Sequence, residues 1–381
     1  MTWKHDRGLA PMLATAAEFC KERPEIFIEW EARSLYEFGE APLAKLAEQY
    51  DLLVIDHPFM GQVAQEACLL PLDECVSEIQ LQALERDSVG QSHRSYFFQG
   101  HQWALAIDAA AQVTGLRPDL LEKAGVALPK TWDEVFDVAK LRRGFVSAAL
   151  CPVDAMICFF TLCANYGEPP FVAPGRIVSD EVGQYALERL RQLSQCSLPE
   201  ASTMNPIAVW ERMSSSDDIA YCPLAFGYSN YSRDGYRRSS ISFGVVPSSG
   251  THGPVGATLG GAGIAISRNC KHPEIASAYA LWVAGADCQR TSYVDSGGQP
   301  GNRTAWLDNH ANQITNGYFV ATLPVLEHAW LRPRNTGFVA FQAAVAEIIA
   351  NHLRNALSAR ETLDSVNRTY QHMFGGIVSF A

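Results

Sequence analysis

Residues 95–110 read SYFFQGHQWALAIDAA, and the chain continues through Ala110–Leu116 as a further extended run. Two aromatic-rich runs flank Gln99-Gly100, a pair that suits a tight turn, so the stretch predicts a hairpin feeding a longer strand. Pro118–Gly125 (PDLLEKAG) follows as a short helix closed by its glycine. Thr131-Trp132-Asp133-Glu134 then opens another helix, with Thr131 as N-cap and acidic residues in the first turn, where they favour the helix dipole.

Outward from this block, the pattern alternates. The chain opens with a strand end, a loop over Lys4–Gly8 and a helix from about Pro11 to Glu22. Ile26–Trp30 reads as a strand, Ala41–Glu48 as a helix, and Tyr50–Asp56 (YDLLVID) as the best buried strand. His57-Pro58 stops that strand, because proline cannot donate to a ladder, and a helix over Met60–Ala67 follows. This order predicts an α/β fold with parallel pairing. Residues Ala148–Met213 are mainly helical, with a loop at Gly167–Pro170. Ile219–Cys222 and Ile241–Val246 read as strands around a tyrosine-rich loop, and Ile264–Ile266 as another. From Pro273 the chain is largely helical.

Strands on both sides of the helical middle are expected to share one sheet, so the chain leaves one lobe and returns. That makes two lobes with a hinge and an interlobe cleft, where ligands favour binding. The expected division is residues 1–108 with about 262–318 in lobe 1, and about 109–261 with 319–381 in lobe 2. The crossings fall near 108–112 and 260–264.

Composition narrows the function. The 381 residues carry 30 Lys+Arg against 41 Asp+Glu, a net charge of −11, which argues against a nucleic-acid footprint and against anionic lipid. No run approaches the ~18 apolar residues of a membrane span. The polar opening Met1–Arg7 lacks the apolar core of a secretory signal, so a cytoplasmic location is expected for the sequence as it stands, and a periplasmic one if a leader was removed. Ten cysteines show no CxxC pair and no zinc spacing, and read as reduced, buried thiols. No metal or other cofactor is expected. HExxH, G-x-S-x-G and phosphate-loop motifs are absent, and Gly260-Gly261 is not followed by a dinucleotide fingerprint.

Taken together, SYFFQGHQWALAIDAA, the Arg117–Gly125 helix, Pro129–Glu134, the Ile241–Val283 block and Ser296–Pro300 resemble the solute-binding proteins of sugar-type ABC importers. The match runs collinearly over most of the chain. It implies a two-lobed type II periplasmic-binding-protein fold that closes over one small polar ligand, such as a sugar, a polyol or a sugar acid. It also implies a monomer that meets the membrane subunits of an importer. The chain departs from the family pattern at Ile107-Asp108, where many members carry proline, and in its charged opening Thr2–Gly8.

Ligands of open α/β lobes lie beyond the carboxyl ends of strands, which nominates the loop after each. Trp3, His5 and Arg7 follow the first strand; the alternative is a fraying terminus. Asp56 and His57 follow the best strand, with Asp56 equally suited to cap a helix. Asp108 stands at the lobe crossing. Phe226 and Tyr228 offer stacking surfaces, or else pack the lobes together. Gly260 and Gly261 would let backbone approach a ligand. Trp330 is a further aromatic candidate. Arg303 and Arg332 suit an anionic group, with ordinary ion pairs as the rival, and with Arg7 they point toward an acidic ligand. If His5, His57 and Asp108 converge, an enzyme using histidine acid–base chemistry becomes the alternative function. A cytoplasmic ligand sensor or carrier is the third.

Overall fold

The computed structural model describes residues 1–40, 42–173, 175–249 and 253–375. Its first strands are β1 (Thr2–Trp3), β2 (Ala32–Arg33) and β3 (Leu52–Ile55). The hairpin expected from the aromatic block is β4 (Phe97–Phe98) and β5 (His101–Gln102). Its turn residues Gln99 and Gly100 both have positive φ, 50° and 86°, as a tight hairpin turn requires. A long strand follows as β6 (Leu105–Leu116), and the set closes with β7 (Tyr221–Phe226), β8 (Ser242–Gly244) and β9 (Leu259–Ile266).

The main sheet runs β3-β9-β6-β7, with β8 also paired to β6. Strand β6 is its spine. Leu105–Ala111 pair with β9, and Gln112–Leu116 pair with β7 and β8. The strands before and after the helical middle therefore do share one sheet. Their pairing is antiparallel throughout, which corrects the parallel expectation; among the named strands of the described residues, β1–β2 is the parallel pair. The reason is topological: β9 returns after a long excursion and inserts between β3 and β6 running against both.

Local chemistry explains most other boundaries. Thr131 forms a capping box with Glu134, and Gly125 closes its helix with φ 69°. Ile26–Trp30 is not a strand: Ile26 N–H turns back to Arg23 O, Phe27 is 85 % exposed, and pairing falls on Ala32–Arg33 instead. The expected Ala41–Glu48 helix is Leu43–Ala47, and Ala41 lies outside the described residues. The segment read as a loop from Pro223 is strand up to Phe226. Pro223 falls where the β6–β7 register shifts, a place that tolerates a missing N–H.

Three apolar clusters fill the molecule. The largest gathers the second half of β6 with the helices Pro152–Tyr166, Asp180–Cys196, Phe338–Leu353 and Ala359–Phe374. Two smaller ones pack the first half of β6 with β3 and β9, around Trp3, Phe19 and Tyr279 on one side and Leu53, Met60 and Tyr96 on the other. Within β6 the change comes between Ile107 and Ala109. The helix Pro152–Tyr166 is buried on every side from Asp154 to Asn165, which is why Cys158 and Cys163 sit in so apolar a run. All ten cysteines are free, but Cys158, Cys163, Cys222 and Cys288 alone are fully buried and Cys75 is exposed, so the expectation of general burial is corrected.

The strands crowd where β6 meets β9. A Cβ on Gly261, whose φ is 126°, would lie 2.4 Å from Asp108 O, whereas one on Gly244 would meet nothing within 4 Å. Gly261→Ala should therefore destabilise the fold by roughly 3 kcal/mol, against less than about 1 kcal/mol for Gly244→Ala. Urea unfolding of the two variants checks this, and equal costs would contradict the crowding.

Candidate functional site

At the β6–β9 crossing the side chains of three distant segments meet. His5 caps the helix Asp6–Lys21, its Nδ1 accepting from Arg7 N–H at 3.0 Å. This fixes Arg7 in the first turn, pointing inward and 3 % exposed. Arg7 donates to both oxygens of Asp108, at 2.8 Å from Nε and 2.5 Å from Nη2, and to Gly227 O at 2.6 Å. Its guanidinium lies 4.5 Å from the centre of the Tyr228 ring, which also meets His5 edge-on at 4.7 Å. Burial opposes both charges of the pair. The two-pronged contact outweighs this for Arg7, whose pKa is raised, whereas at Asp108 burial prevails over Arg7 and its pKa is raised as well.

A second constellation forms after β3. Asp56 accepts from His57 N–H at 2.8 Å as the cap of the His57–Phe59 turn, and from Arg332 Nη2 at 2.9 Å. Burial works against the Asp56 carboxylate, but Arg332 and His57 overcome it and hold its pKa far below the usual range. Of the two readings of Asp56, the cap is present, and the rest of the carboxylate is engaged by Arg332. His57 is fully buried; its Nδ1 lies 3.1 Å from Asp56 Oδ1, misaligned for a hydrogen bond, and neither ring nitrogen has a partner among the described residues. Burial, and then Arg332, lower its pKa to about 4. His5 is lowered to about 4 in the same way, by burial and then by Arg7. No hydrogen bond joins His5, His57 and Asp108 among the described residues: each has its own neighbours.

The other nominated residues divide. Phe226 lies over Gly260, where a Cβ would come within 2.6 Å of the ring, so that glycine admits an aromatic side chain. Gly261 admits the Asp108 carbonyl. Trp330 bridges by its backbone to Ala257 and Leu259, and its ring stacks on Phe171 at 6.2 Å. Trp3 is in the core, packed on Phe38 and directly over Gly8. Arg303 is on the surface, paired with Glu327. Arg7 and Arg332 are likewise paired within the protein, so the three arginines do not form one anion-seeking cluster.

Several further residues join this region. Gln299 donates to Ala109 O at 2.7 Å and accepts from Ser229 N–H at 2.9 Å, tying the β6 crossing to the segment after β7. Asp154, in the first turn of Pro152–Tyr166, is 5 % exposed, and its charge is felt at both Tyr228 and Arg332. Gln112 on β6 donates to Cys158 Sγ at 3.3 Å while its Oε1 has no partner. Tyr318 OH and Ser229 Oγ are also buried without partners among the described residues. The available signal was a lone polar residue inside an apolar run, Asp154 before MICFF and Gln112 inside AAAQV. Recesses of about 620 Å³, beside Phe19, Arg23 and Trp282, and about 600 Å³, beside Phe136 and Arg189, lie apart from these residues.

A single sheet shared by two packed bodies, with buried polar side chains gathered near its crossing, defines a two-lobed α/β fold. Residues 5–143 match the sequence model of the bacterial extracellular solute-binding protein family, so this stretch, which includes the hairpin block, is similar to those proteins. Solved structures agree on the fold over nearly the whole length. Maltose-bound MalE3 of T. maritima superposes with a TM-score of 0.80 at 17% identity, covering 96% of each chain. The GacH receptor of Streptomyces glaucescens gives 0.81 at 17% identity, over 98% of this chain and 97% of that one. A solute-binding protein of Agrobacterium radiobacter in complex with ribitol gives 0.77 at 19% identity, over 96% of both. No curated protein matches the sequence.

Two outcomes follow from the geometry. Asp108→Asn should cost about 3–5 kcal/mol because it strands a buried guanidinium, while Arg7→Leu/Asp108→Leu together cost much less than the two singles added. Urea unfolding of the cycle tests this, and additive costs would break the pairing. For His57, the unfolded chain takes up a proton near pH 6.5, the folded chain only near pH 4. Stability is therefore lost as pH falls between those values. His57→Gln should lose about 2–3 kcal/mol less than the natural protein between pH 7 and pH 4.5. Equal losses in both would refute the burial of a neutral ring.

Proposed function

We propose that the protein binds one small polyhydroxylated solute, a sugar or polyol, between its lobes and closes over it by bending at 108–112 and 260–264. The observation that carries this reading is a set of buried polar groups without hydrogen-bond partners among the described residues, on β6 or on elements packed on or near it and β9: His57, Gln112, Ser229 and Tyr318. Hydroxyl groups both donate and accept, so they suit such a mixed set. Solved relatives in fold were crystallised with maltose, ribitol and D-mannitol, which supports the same ligand class. The proposed lobes follow the division read from the sequence, except that Val89, Val294, Trp306, Ala311 and Tyr318 share the core of the larger one. The proposed partners are the membrane subunits of an ABC importer, met by a monomer. No helix of the described residues is long and apolar enough to cross a membrane.

One observation favours a second setting. Ten free thiols suit a reducing compartment, where the same closure would serve a cytoplasmic carrier or sensor. Fractionation of cells expressing the native gene separates the two settings.

Titration with ribitol, D-mannitol, sorbitol and maltose tests the binding itself. A true ligand at 100 times its dissociation constant adds about 2.7 kcal/mol of stability, read as a rise in melting temperature. In X-ray scattering it shifts the population toward one closed form. A panel of sugars and polyols that moves neither quantity would refute the proposal.

A further inference from the structure

The charges around the crossing are unevenly matched. Arg7 is taken by Asp108, and Arg332 spends its Nη2 on Asp56 and its Nη1 on Gln342 Oε1 at 3.3 Å. Arg334, at the rim and partly exposed, donates to the carbonyls of Arg94, Ser95 and Phe97. Asp154 is left over. Its one hydrogen-bond partner among the described residues is the Cys151 thiol, which donates to Oδ2 at 3.0 Å. Three buried or nearly buried carboxylates thus face two buried guanidiniums.

A second acceptor stands nearby. Cys158 lies one turn beyond Asp154 on the same helix face, and it holds the amide nitrogen of Gln112. The Gln112 Oε1, on a residue 1 % exposed, is without a donor. A carboxylate whose donor is a single thiol, close to an amide oxygen without a donor, makes a pair of acceptors suited to several N–H groups on one atom. A hydroxyl has a single proton to give, whereas an ammonium has three and also cancels the charge.

Resting on the solute-binding reading above, we propose that the ligand is a polyol or sugar carrying one basic nitrogen, with its ammonium held by Asp154 and Gln112. Arg332 Nε, Ser229 Oγ and Tyr318 OH, all buried and without partners among the described residues, then meet its hydroxyls. Burial, eased only by the Cys151 thiol and Arg332, raises the Asp154 pKa to about 7, as expected of a carboxylate awaiting a cation. This replaces the acidic ligand suggested by counting arginines in the sequence.

Three probes share one carbon chain and differ at one end: sorbitol is neutral, D-glucamine carries an amine and D-gluconate a carboxylate. Calorimetric titration of the natural protein should find D-glucamine bound at least about tenfold more tightly than the other two, the worth of one charge-assisted contact. In Asp154→Asn the ratio of D-glucamine to sorbitol affinity should fall to near one, and in Gln112→Leu it should fall part of the way. The natural protein's own preference decides the matter if a variant fails to fold. Equal or tighter binding of sorbitol or D-gluconate overturns the inference while leaving the solute-binding reading intact. A preference that survives Asp154→Asn also overturns it. Failure of all three probes together with ribitol, D-mannitol and maltose would remove both.

Discussion

Everything at the crossing depends on one buried ion pair. Arg7 belongs to the first helix, Asp108 to the middle of β6, and Gly227 to the end of β7, and a single guanidinium holds all three. Taking these charges out of water costs several kcal/mol per ion, recovered only with near-ideal geometry. Here the geometry is two-pronged, with a carbonyl on the third side and the Tyr228 ring over the face. The side chains around it inherit their places. His5 caps the helix that aims Arg7, and Gln299 ties down the strand that carries Asp108. The pair ties the first helix to β6 and the end of β7, which is why residues that look like ligand contacts are already in contact with one another.

This explains how much was legible beforehand. The hairpin, the Thr131 cap, the Gly125 stop and the sheet that the chain leaves and re-enters were all readable, because each rests on local turn chemistry or on apolar runs. The pairing direction was not. Nothing in Leu259–Ile266 says from which end the strand enters the sheet, and that is set by where the preceding segments pack. Ile26–Trp30 misled for a related reason: its alternating apolar residues promise a strand, yet a turn from Arg23 leaves Phe27 in solvent.

Candidate contacts were legible by position more than by role. Of the nominated residues, Arg7, Asp108 and Tyr228 meet in one group and Asp56, His57 and Arg332 in another. Their pairing with each other was invisible, since Arg7 and Asp108 are 101 residues apart and Asp56 and Arg332 are 276 apart. Trp3 and Arg303 had the right chemistry in the wrong surroundings, one in the core and one on the surface. Asp154 and Gln112 went unnoticed because each is a single polar letter in an apolar stretch, and only the folded neighbourhood tells whether such a residue is satisfied.

The 12-residue strand β6 has one further consequence. It begins in one core and ends in the other with no linker between them, so melting either body frays a ladder that the other needs. The molecule is thereby built to denature as one cooperative unit, with a single calorimetric endotherm, even though it packs around two separate cores. The bending proposed at 108–112 and unfolding spread over the whole chain would then be separate properties of the same strand.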